Sequence, residues 1–359
     1  MVRDVGSLPI GSRVVVRWRL ATPDPASGAT LTDTVGTLLT CDDDTLTIES
    51  RTGPVTVERH RVVTAREVPP KPSRRGAPHR AISVEDLQRV IAPSWGAVER
   101  EALGDWELRA SSGFTQRGNS VVPVGDPGLP LAEAVEAAEQ WYAARGLPAK
   151  VAVAGPVGFD PAEDPLGALL LERGYTADSL TLNLTARTET VAAADPGGPA
   201  VLVSPTAPPE WLATYLTTRR TVPGVSEQVV TGSPRQLFAQ VRPGGGLSQQ
   251  LGLRAADAAG TTPVALGRLG IVHGWAGLGA VWTNPAYRGR GLAAHLTARL
   301  AATARDDGTL LVHLQVEHDN AAAIRLYGRM GFEEHSSYVY LTQRQTGGAR
   351  TAGPATLAT

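Results

Sequence analysis

The sequence predicts an α+β protein in which a small β-barrel precedes two copies of one αβ unit. Short β-branched runs separated by turn residues fill residues 11–68, and helical and strand-like patterns alternate after them. Two stretches of equal length, 169–184 and 326–341, each run from a helix end through a glycine–aromatic pair into an alternating strand. This echo, together with a similar order of elements before it, indicates an internal repeat.

The first part of the chain is predicted to be the barrel. The runs RVVVRWRL, TVGTLL, TLTIES, VTVER and RVVTAREV are bounded by Gly, Asp and Pro, and five short strands in so short a stretch suggest a small barrel. The pattern resembles an SH3-like barrel, which we assign to residues 1–68. Residues 69–80 are rich in proline and basic, so they are predicted to be a linker.

The repeat divides the remainder of the chain into two halves. The copies differ in chemistry at one matched position, where Leu170 of the first stands in place of Tyr327 of the second. The assigned segments are the first half, residues 81–188; a second linker, 189–199; the second half, 200–344; and a small, polar, disordered tail, 345–359.

Composition excludes several classes of protein. The 359 residues carry a formal net charge of −1 at pH 7, so the chain as a whole is not a nucleic-acid polycation. Cys41 is the only cysteine, which excludes an internal disulfide. We find no apolar run that suits a signal peptide or a membrane span, and we therefore expect a cytoplasmic protein. No paired Cys/His spacing predicts a metal site.

Residues 284–302, NPAYRGRGLAAHLTARLAA, gather two glycines and two arginines where a helix is predicted to begin. The stretch before them is typical of a strand, and leucines recur every four residues from Leu292. Backbone N–H groups at a helix start lack internal partners and favour anions, while glycine lets a phosphate come close. The turn is therefore predicted to hold a pyrophosphate, although an ordinary glycine turn would look the same in isolation.

The residues that follow make the pattern more specific. After the turn come a buried strand at 309–316, Asn320, and a helix that carries Tyr327 and ends at Gly331-Phe332. This ordered set resembles the GNAT superfamily of acetyl-CoA-dependent N-acetyltransferases over about residues 264–341. The resemblance implies a tandem GNAT fold, with a mixed sheet flanked by helices, and acetyl-CoA as co-substrate.

The resemblance also implies a role for each matching residue. The CoA pyrophosphate would lie on the backbone of Arg288, Gly289, Arg290, Gly291, Leu292 and Ala293. The pantetheine arm would pair with Val281, Trp282 and Thr283 and contact Asn320. Tyr327 would protonate the departing thiolate, and since a phenol has a pKa of ~10 against ~8.5 for a thiol, it can donate as charge grows on sulfur. A core aromatic on an amphipathic helix is the alternative for Tyr327.

The general base is less determined by the sequence. An alkyl amine arrives protonated, so a proton must leave before attack. The strand WAGLGAVWT contains no carboxylate, where many GNAT enzymes place one. The nearby candidates are Glu317, His273, His313 and His318. We favour Glu317 at the end of the predicted strand, acting directly or through water, because a histidine in an apolar strand is more typical of a core.

The first half lacks both the glycine turn and the phenol, so it is predicted to be a degenerate copy with a structural or acceptor-shaping role. For the acceptor side, the candidates are Trp211, Tyr215, Arg219, Arg220 and the loop 242–250, with helix packing as the alternative. The order of barrel, degenerate half and intact half is similar to that of histone-acetyltransferase-like GNAT proteins of actinobacteria.

We therefore expect an N-acetyltransferase that moves an acetyl group from acetyl-CoA directly to a primary amine. The acceptor would be a small amine or a protein lysine, including one on a histone-like protein. A non-catalytic CoA-sensing or partner-binding regulatory module is the alternative. Neither a metal nor a membrane is expected to take part, and direct nucleic-acid binding is not expected.

Overall fold

The computed structural model describes residues 8–23, 28–68, 77–178, 180–243 and 262–344. Backbone contacts divide the chain into two units, residues 1–71 and 72–359. Several predicted segments lie wholly or partly outside the described residues: the linker 69–80 before residue 77, the loop 242–250 after residue 243, the whole tail 345–359, and stretches of the barrel and of both halves. The predicted domain boundaries stay predictions.

The first unit is an antiparallel sheet of five strands. They are β1 (Arg13–Arg19), β2 (Leu31–Cys41), β3 (Thr45–Ser50), β4 (Gly53–Glu58) and β5 (Val62–Glu67). Their order in the sheet is β4-β3-β2-β1-β5. Because side chains alternate between the faces of a strand, Val14 and Val16 of β1 meet Leu46 and Ile48 of β3 in a fully buried core.

The second unit contains the other helices and strands. The helices are α1 (Pro78–Ala81), α2 (Val84–Ile91), α3 (Leu131–Ala143), α4 (Pro165–Glu172), α5 (Thr188–Ala193), α6 (Pro209–Thr217), α7 (Val225–Val230), α8 (Leu292–Asp306) and α9 (Ala321–Arg329). The strands are β6 (Glu99–Leu103), β7 (Trp106–Ala110), β8 (Lys150–Gly155), β9 (Thr176–Ala177), β10 (Thr181–Arg187), β11 (Val201–Ser204), β12 (Gln236–Val241), β13 (Ala265–Val272), β14 (Trp275–Thr283), β15 (Leu311–Glu317) and β16 (Glu333–Thr342).

One mixed sheet runs through both halves of this unit. Its order is β11-β12-β13-β14-β15-β10-β16-β8, with β9 beside β16, while β6 and β7 form a separate hairpin. Neighbours in the mixed sheet are antiparallel except β14 and β15, which are parallel. The α+β fold class is therefore as predicted.

The two halves exchange their last strands. β10, which ends the first half, lies between β15 and β16 of the second, and β16 in turn pairs with β8 of the first half. Thr181 faces Tyr338 across the β10–β16 pair, and each lies seven residues after the glycine of its own copy, Gly174 or Gly331. Equivalent residues that face each other mark an approximate two-fold axis, so the sequence echo corresponds to a structural repeat.

The faces of the mixed sheet carry different layers. Leu296 and Leu300 of α8 are fully buried against the second half of the sheet, as their spacing predicts. α3 and α4 cover the first half on their own core cluster. In a separate core cluster, Trp95 packs with Trp211 of α6 and Phe238 of β12. This Trp95 side of the sheet is called the acceptor face below.

Both predicted linkers contain structure that the sequence did not indicate. Pro78–Ala81 forms α1, where the His79 carbonyl accepts a hydrogen bond from Thr185 Oγ1 at 2.9 Å. The stretch 189–199 begins inside α5, which packs against α8. Proline and glycine suggested linkers without regular structure in both places. Tertiary contacts order these short segments instead, and local composition does not reveal such contacts.

Candidate active site

The glycine-rich turn lies between β14 and α8. Gly289 and Gly291 both have left-handed backbone conformations, with φ of 75° and 76°, which glycine adopts without the steric cost of a Cβ. A Cβ at Gly289 would meet nothing within 4 Å, and one at Gly291 would meet only Cγ of Pro196, at 3.7 Å. The backbone of the turn is therefore open to an approaching ligand.

The first turn of α8 supplies amides beside these glycines. Its first internal hydrogen bond runs from the His295 N–H to the Gly291 carbonyl, at 2.9 Å. The preceding N–H groups have no partner inside the helix, and they form the positive end of the helix dipole. The first turn, described in full, carries no acidic residue. This arrangement fits the pyrophosphate of CoA.

The two arginines of the turn are exposed. Arg288 Nε donates to the Thr283 carbonyl at 3.3 Å, so this side chain ties the turn to the end of β14. The Arg290 guanidinium lies 5.7 Å from the ring centroid of Tyr287. Their charges raise the positive potential where the phosphates are predicted to bind.

β14 and β15 separate at the end that faces this turn. Their parallel pairing runs from Trp275 with Leu311 to Leu278 with Leu314 and goes no further. The predicted pantetheine-binding residues, Val281, Trp282 and Thr283, follow on β14, where Trp282 and Thr283 pair with β13. Thr283 Oγ1 is buried and has no hydrogen-bond partner among the described residues. The opening between the strands thus provides a strand edge and an unused polar atom for an extended arm.

Ala280 interrupts β14 at this opening, which the sequence did not predict. It has a φ of 54°, and the pairing of β13 with β14 shifts register opposite it, between Leu266 and Arg268. A non-glycine residue with positive φ is uncommon and marks a bulge that redirects the chain. The flanking glycines in GLGAV were the available signal.

Asn320 caps a helix in the structure. Its Oδ1 accepts a hydrogen bond from the Ala323 N–H at 3.1 Å, at the start of α9. Capping alone accounts for asparagine here, because asparagine is a preferred N-cap residue. Its side-chain nitrogen is not used by that bond, so the contact with the pantetheine arm stays a prediction.

Tyr327 lies in the core cluster beneath α8. Its ring makes an edge contact with Phe332 at 5.6 Å between centroids, and it shares the cluster with Leu292, Leu278 and Val316. Burial raises the pKa of Tyr327 well above its ordinary value, so the phenol stays protonated. The position fits a core aromatic, and the role as proton donor stays a prediction.

The four base candidates lie in different environments. Glu317 and His318 are exposed at the end of β15, close to the opening. His313 is buried on β15, where burial and the charge of Arg117 lower its pKa to about 3, so it is a poor base at neutral pH. His273 lies in the turn before β14, at the other end of that strand. Glu317 remains our choice.

The segment from Asp195 to Pro199 borders the glycine turn. His295, in the first turn of α8, bonds Asp195 Oδ1 through Nδ1 at 2.5 Å and the Pro199 carbonyl through Nε2 at 2.8 Å. The imidazole ring thus connects α8 to both ends of this segment. Sequence reasoning did not single out His295, because the proline and glycine around Asp195 indicated a spacer.

The predicted acceptor-side residues prove to be mainly structural. Trp211 is fully buried and its Nε1 donates to the Ala239 carbonyl at 2.9 Å. Tyr215 stacks on it and is also fully buried, while Arg219 and Arg220 are exposed. A pocket elsewhere on the acceptor face is lined by side chains of both halves: Trp95, Arg109, Arg117, Gln315, Tyr338 and Tyr340 are among them.

Two negative results are limited to the part of the chain that the structure describes. Within those ranges, no group of three or more His, Cys, Asp or Glu side chains could hold a metal ion. No helix in the same ranges has both the length and the apolar character that a membrane span requires.

The fold and the glycine turn define an acetyltransferase of the GNAT kind, and comparison with known proteins agrees. The chain belongs to the family described as "Probable histone acetyltransferase Rv0428c C-terminal", whose model matches residues 82–341. The family model "Rv0428c N-terminal Sm-like domain" matches residues 8–66. The first unit is therefore Sm-like, a small barrel close to the predicted SH3-like one.

The chain is also similar to individual proteins. The "Uncharacterized N-acetyltransferase YobR" of Bacillus subtilis is 26% identical over 73% of this chain and 99% of its own length. The "Probable histone acetyltransferase Rv0428c" of Mycobacterium tuberculosis is 34% identical over 40% of this chain and 44% of its own. A solved GCN5-related N-acetyltransferase from Kribbella flavida is 19% identical, with a TM-score of 0.49, over 73% of this chain and 96% of that one.

Proposed function

We propose that this acetyltransferase moves an acetyl group from acetyl-CoA directly to a primary amine. One observation carries the proposal: the open glycine turn at the start of α8 lies beside the separated ends of β14 and β15. The turn supports the phosphates, and the strand opening supports the pantetheine arm. The thioester carbon would then lie near Ala280, where both the core side and the acceptor face can reach it.

The residues around the opening divide the proton chemistry between the two faces. Bound acetyl-CoA supplies a thioester that is already activated, so direct attack by the amine forms the amide C–N bond and breaks the C–S bond. Glu317, on the exposed end of β15, takes the proton that the amine must lose, directly or through water. Tyr327, on the core side, gives its proton to the departing sulfur. Positioning supplies much of the remaining rate enhancement.

The phosphate site can be tested by a pair of variants that differ in charge alone. Asparagine and aspartate both tolerate left-handed backbone conformations, so Gly291→Asn and Gly291→Asp should fold alike. The carboxylate, unlike the amide, would repel the pyrophosphate. We expect Gly291→Asp to bind acetyl-CoA at least about tenfold more weakly than Gly291→Asn, since charged contacts of this kind are each worth ~1.5–3 kcal/mol. Calorimetric titration measures both, and equal affinities would remove the turn from the site.

The alternative is a module that senses CoA without turnover. Single-turnover mixing of the protein with acetyl-CoA and an amine separates the two functions, because a sensor would bind the thioester and form no amide. Retention of Tyr327 on the core side of the opening favours the enzyme, since a sensor has no use for a proton donor at that place.

The acceptor is proposed as a class. A small amine and a protein lysine both fit the chemistry above. The names of the Mycobacterium relative and of the family make a histone-like protein one candidate. We further propose a cytoplasmic location, and we do not expect direct contact with nucleic acid, because the formal charge of the whole chain is only −1.

A further inference from the structure

A cluster of positive charge lies on the acceptor face, around Trp95. The Trp95 ring packs over β14, where a Cβ added at Gly279 would lie 3.3 Å from it. Two guanidinium groups approach the same ring, Arg268 at 5.1 Å and Arg117 at 5.8 Å from its centroid. We call these three side chains the arginine–tryptophan cluster.

Arg268 is buried without enough partners. It is fully buried on β13, where Nη2 bonds the Ser94 carbonyl at 3.3 Å and Ser233 Oγ at 2.5 Å. Within the described residues, Nε and Nη1 have no hydrogen-bond partner. Burial lowers the pKa of Arg268 to about 10, so the side chain still carries its charge at neutral pH. A buried cation with unused donors is costly unless an anion comes to it.

Arg117 places a second charge beside the first. It is half-buried in the loop after β7. Burial lowers the pKa values of Arg268 and His313, and the charge of Arg117 lowers them further. Burial raises the pKa values of Tyr215 and Tyr340, and the same charge opposes that rise. Among the residues that the structure describes, no carboxylate forms an ion pair with Arg117 or Arg268. Two like charges are thus held together with nothing of opposite sign between them.

A structural role does not account for this pattern as it does for Arg109. Arg109 is also buried on the acceptor face, but it donates to the Ser120 carbonyl, to Ser120 Oγ and to the Ala92 carbonyl. Protein groups thus occupy all three of its nitrogens. Arg268 differs because two of its three nitrogens find no acceptor in the part of the chain that the structure describes.

The cluster borders the pocket on the acceptor face. Trp95 and Arg117 line this pocket together with Gln315. Gln315 follows Leu314, the last residue of β15 that pairs with β14, so one wall of the pocket comes from the residue next to the strand opening. Its other walls come largely from the first half, which gives that degenerate copy a part in shaping the acceptor site.

We propose that the acceptor is an amine that also carries an anionic group, and that this group binds at the arginine–tryptophan cluster. The proposal rests on the proposed acetyl transfer and specifies its substrate class. Guanidinium groups bind carboxylate and phosphate alike, and both chemistries fit. A lysine in a basic protein brings positive charge to the same place, and the cluster disfavours it.

The experiment compares amines that differ only in the anion. The probes are ω-amino acids of increasing length against their amides, L-amino acids against their amides, and O-phosphoethanolamine against ethanolamine. Nα-acetyl-lysine amide and a lysine-rich peptide serve as acceptors without a nearby anion. Acetyl transfer gives kcat/KM for each, and calorimetry in the presence of CoA measures binding of the same compounds without turnover.

We expect the anionic member of the best pair to exceed its neutral partner about tenfold or more in kcat/KM, as for a charge-assisted contact. Arg117→Gln should remove that preference, because it should weaken binding of the anionic amines more than that of their neutral partners. Arg117→Lys should keep part of the preference for the anionic amine. Arg51→Gln removes the same charge from an exposed site in the first unit. It should change neither the preference for the anionic amine nor the binding of the anion.

Two results would overturn the proposal. One is that the amides or the lysine peptide serve as well as the anionic amines, in which case acetyl transfer stands and the substrate class is wrong. The other is that Arg117→Gln slows anionic and neutral amines equally. If acetyl-CoA binds but no compound in the panel accepts an acetyl group, the proposed transfer fails together with this inference.

Discussion

Tyr327 shows how one side chain can meet two demands. Its ring fills the core against Phe332, and the described residues provide no hydrogen bond to its hydroxyl. Burial raises its pKa because the phenolate would be charged in an apolar place. The hydroxyl therefore remains protonated through the pH range in which the enzyme would work, ready for a thiolate that forms beside it.

Replacing Tyr327 by phenylalanine separates its packing role from its predicted role as a proton donor. The ring and its packing remain, so acetyl-CoA affinity should change little, while kcat in single-turnover transfer should fall by about 100-fold, the usual effect of losing a general acid. Because the phenol pKa is raised, the wild-type pH–rate profile should show no loss of activity from its ionisation below about pH 10. Transfer by Tyr327→Phe at the wild-type rate would leave the residue with a packing role only.

The segment 194–199 matters at the scale of elements, because it connects α5 to β11 across the start of α8. Burial alone would raise the pKa of Asp195, but hydrogen bonds from His295 and from the Gly197 N–H hold it below its ordinary value. The folded protein therefore gains stability from the ionised carboxylate above about pH 4, and it loses that gain as the pH falls further.

Asp195→Asn tests this attachment. At pH 7 we expect the free energy of unfolding of the second unit to drop by about 1 kcal/mol, the value of one hydrogen bond. The difference should shrink at a pH below 4, as the pH falls towards the lowered pKa of Asp195 and the wild-type carboxyl begins to be protonated. Acetyl-CoA should bind more weakly, since Pro196 borders Gly291. Urea titrations at both pH values provide the measurement. Asp306→Asn, at an exposed aspartate paired with Arg305, is the control and should show neither effect.

The elements of the site differ in how far the sequence could predict them. The glycine turn and α8 were predictable because their signal is local: helix-starting glycines precede a leucine stripe. The Ala280 bulge and the arginine–tryptophan cluster were not, because they depend on which strands and loops meet. Of the cluster residues, Arg268 was the one that the sequence came closest to indicating, because it is the one charged residue inside the apolar run ALGRLGIV. Its burial between Ser94 and Trp95 depends on the tertiary fold.

At the scale of the whole molecule, the exchange of strands between the two halves is the feature that the sequence did not predict. The echo predicted two copies, and the strand patterns of β10 and β16 alternate in the same way whichever neighbour they pair with. Their partners are far apart in sequence: Asn183 bonds Ser336 across the exchanged pair. The predicted catalytic half, 200–344, is consequently completed by strands from the first half.

We predict that residues 200–344 do not fold alone. In that fragment β16 would lose its three neighbours, β10, β8 and β9, and β15 would lose β10. Apolar strand faces and unpaired backbone groups would then be exposed. Residues 1–71 are the matched control, because every strand pairing of the first unit lies within it. Circular dichroism and size-exclusion chromatography should show a folded monomer for 1–71 and an unfolded or aggregated chain for 200–344.

Co-expression of 77–199 with 200–344 should restore acetyl-CoA binding, with one equivalent per pair because only the second half has the glycine turn. A soluble, acetyl-CoA-binding 200–344 fragment would mean that the second half can pair its own last strand, and that the exchange is not needed for the site.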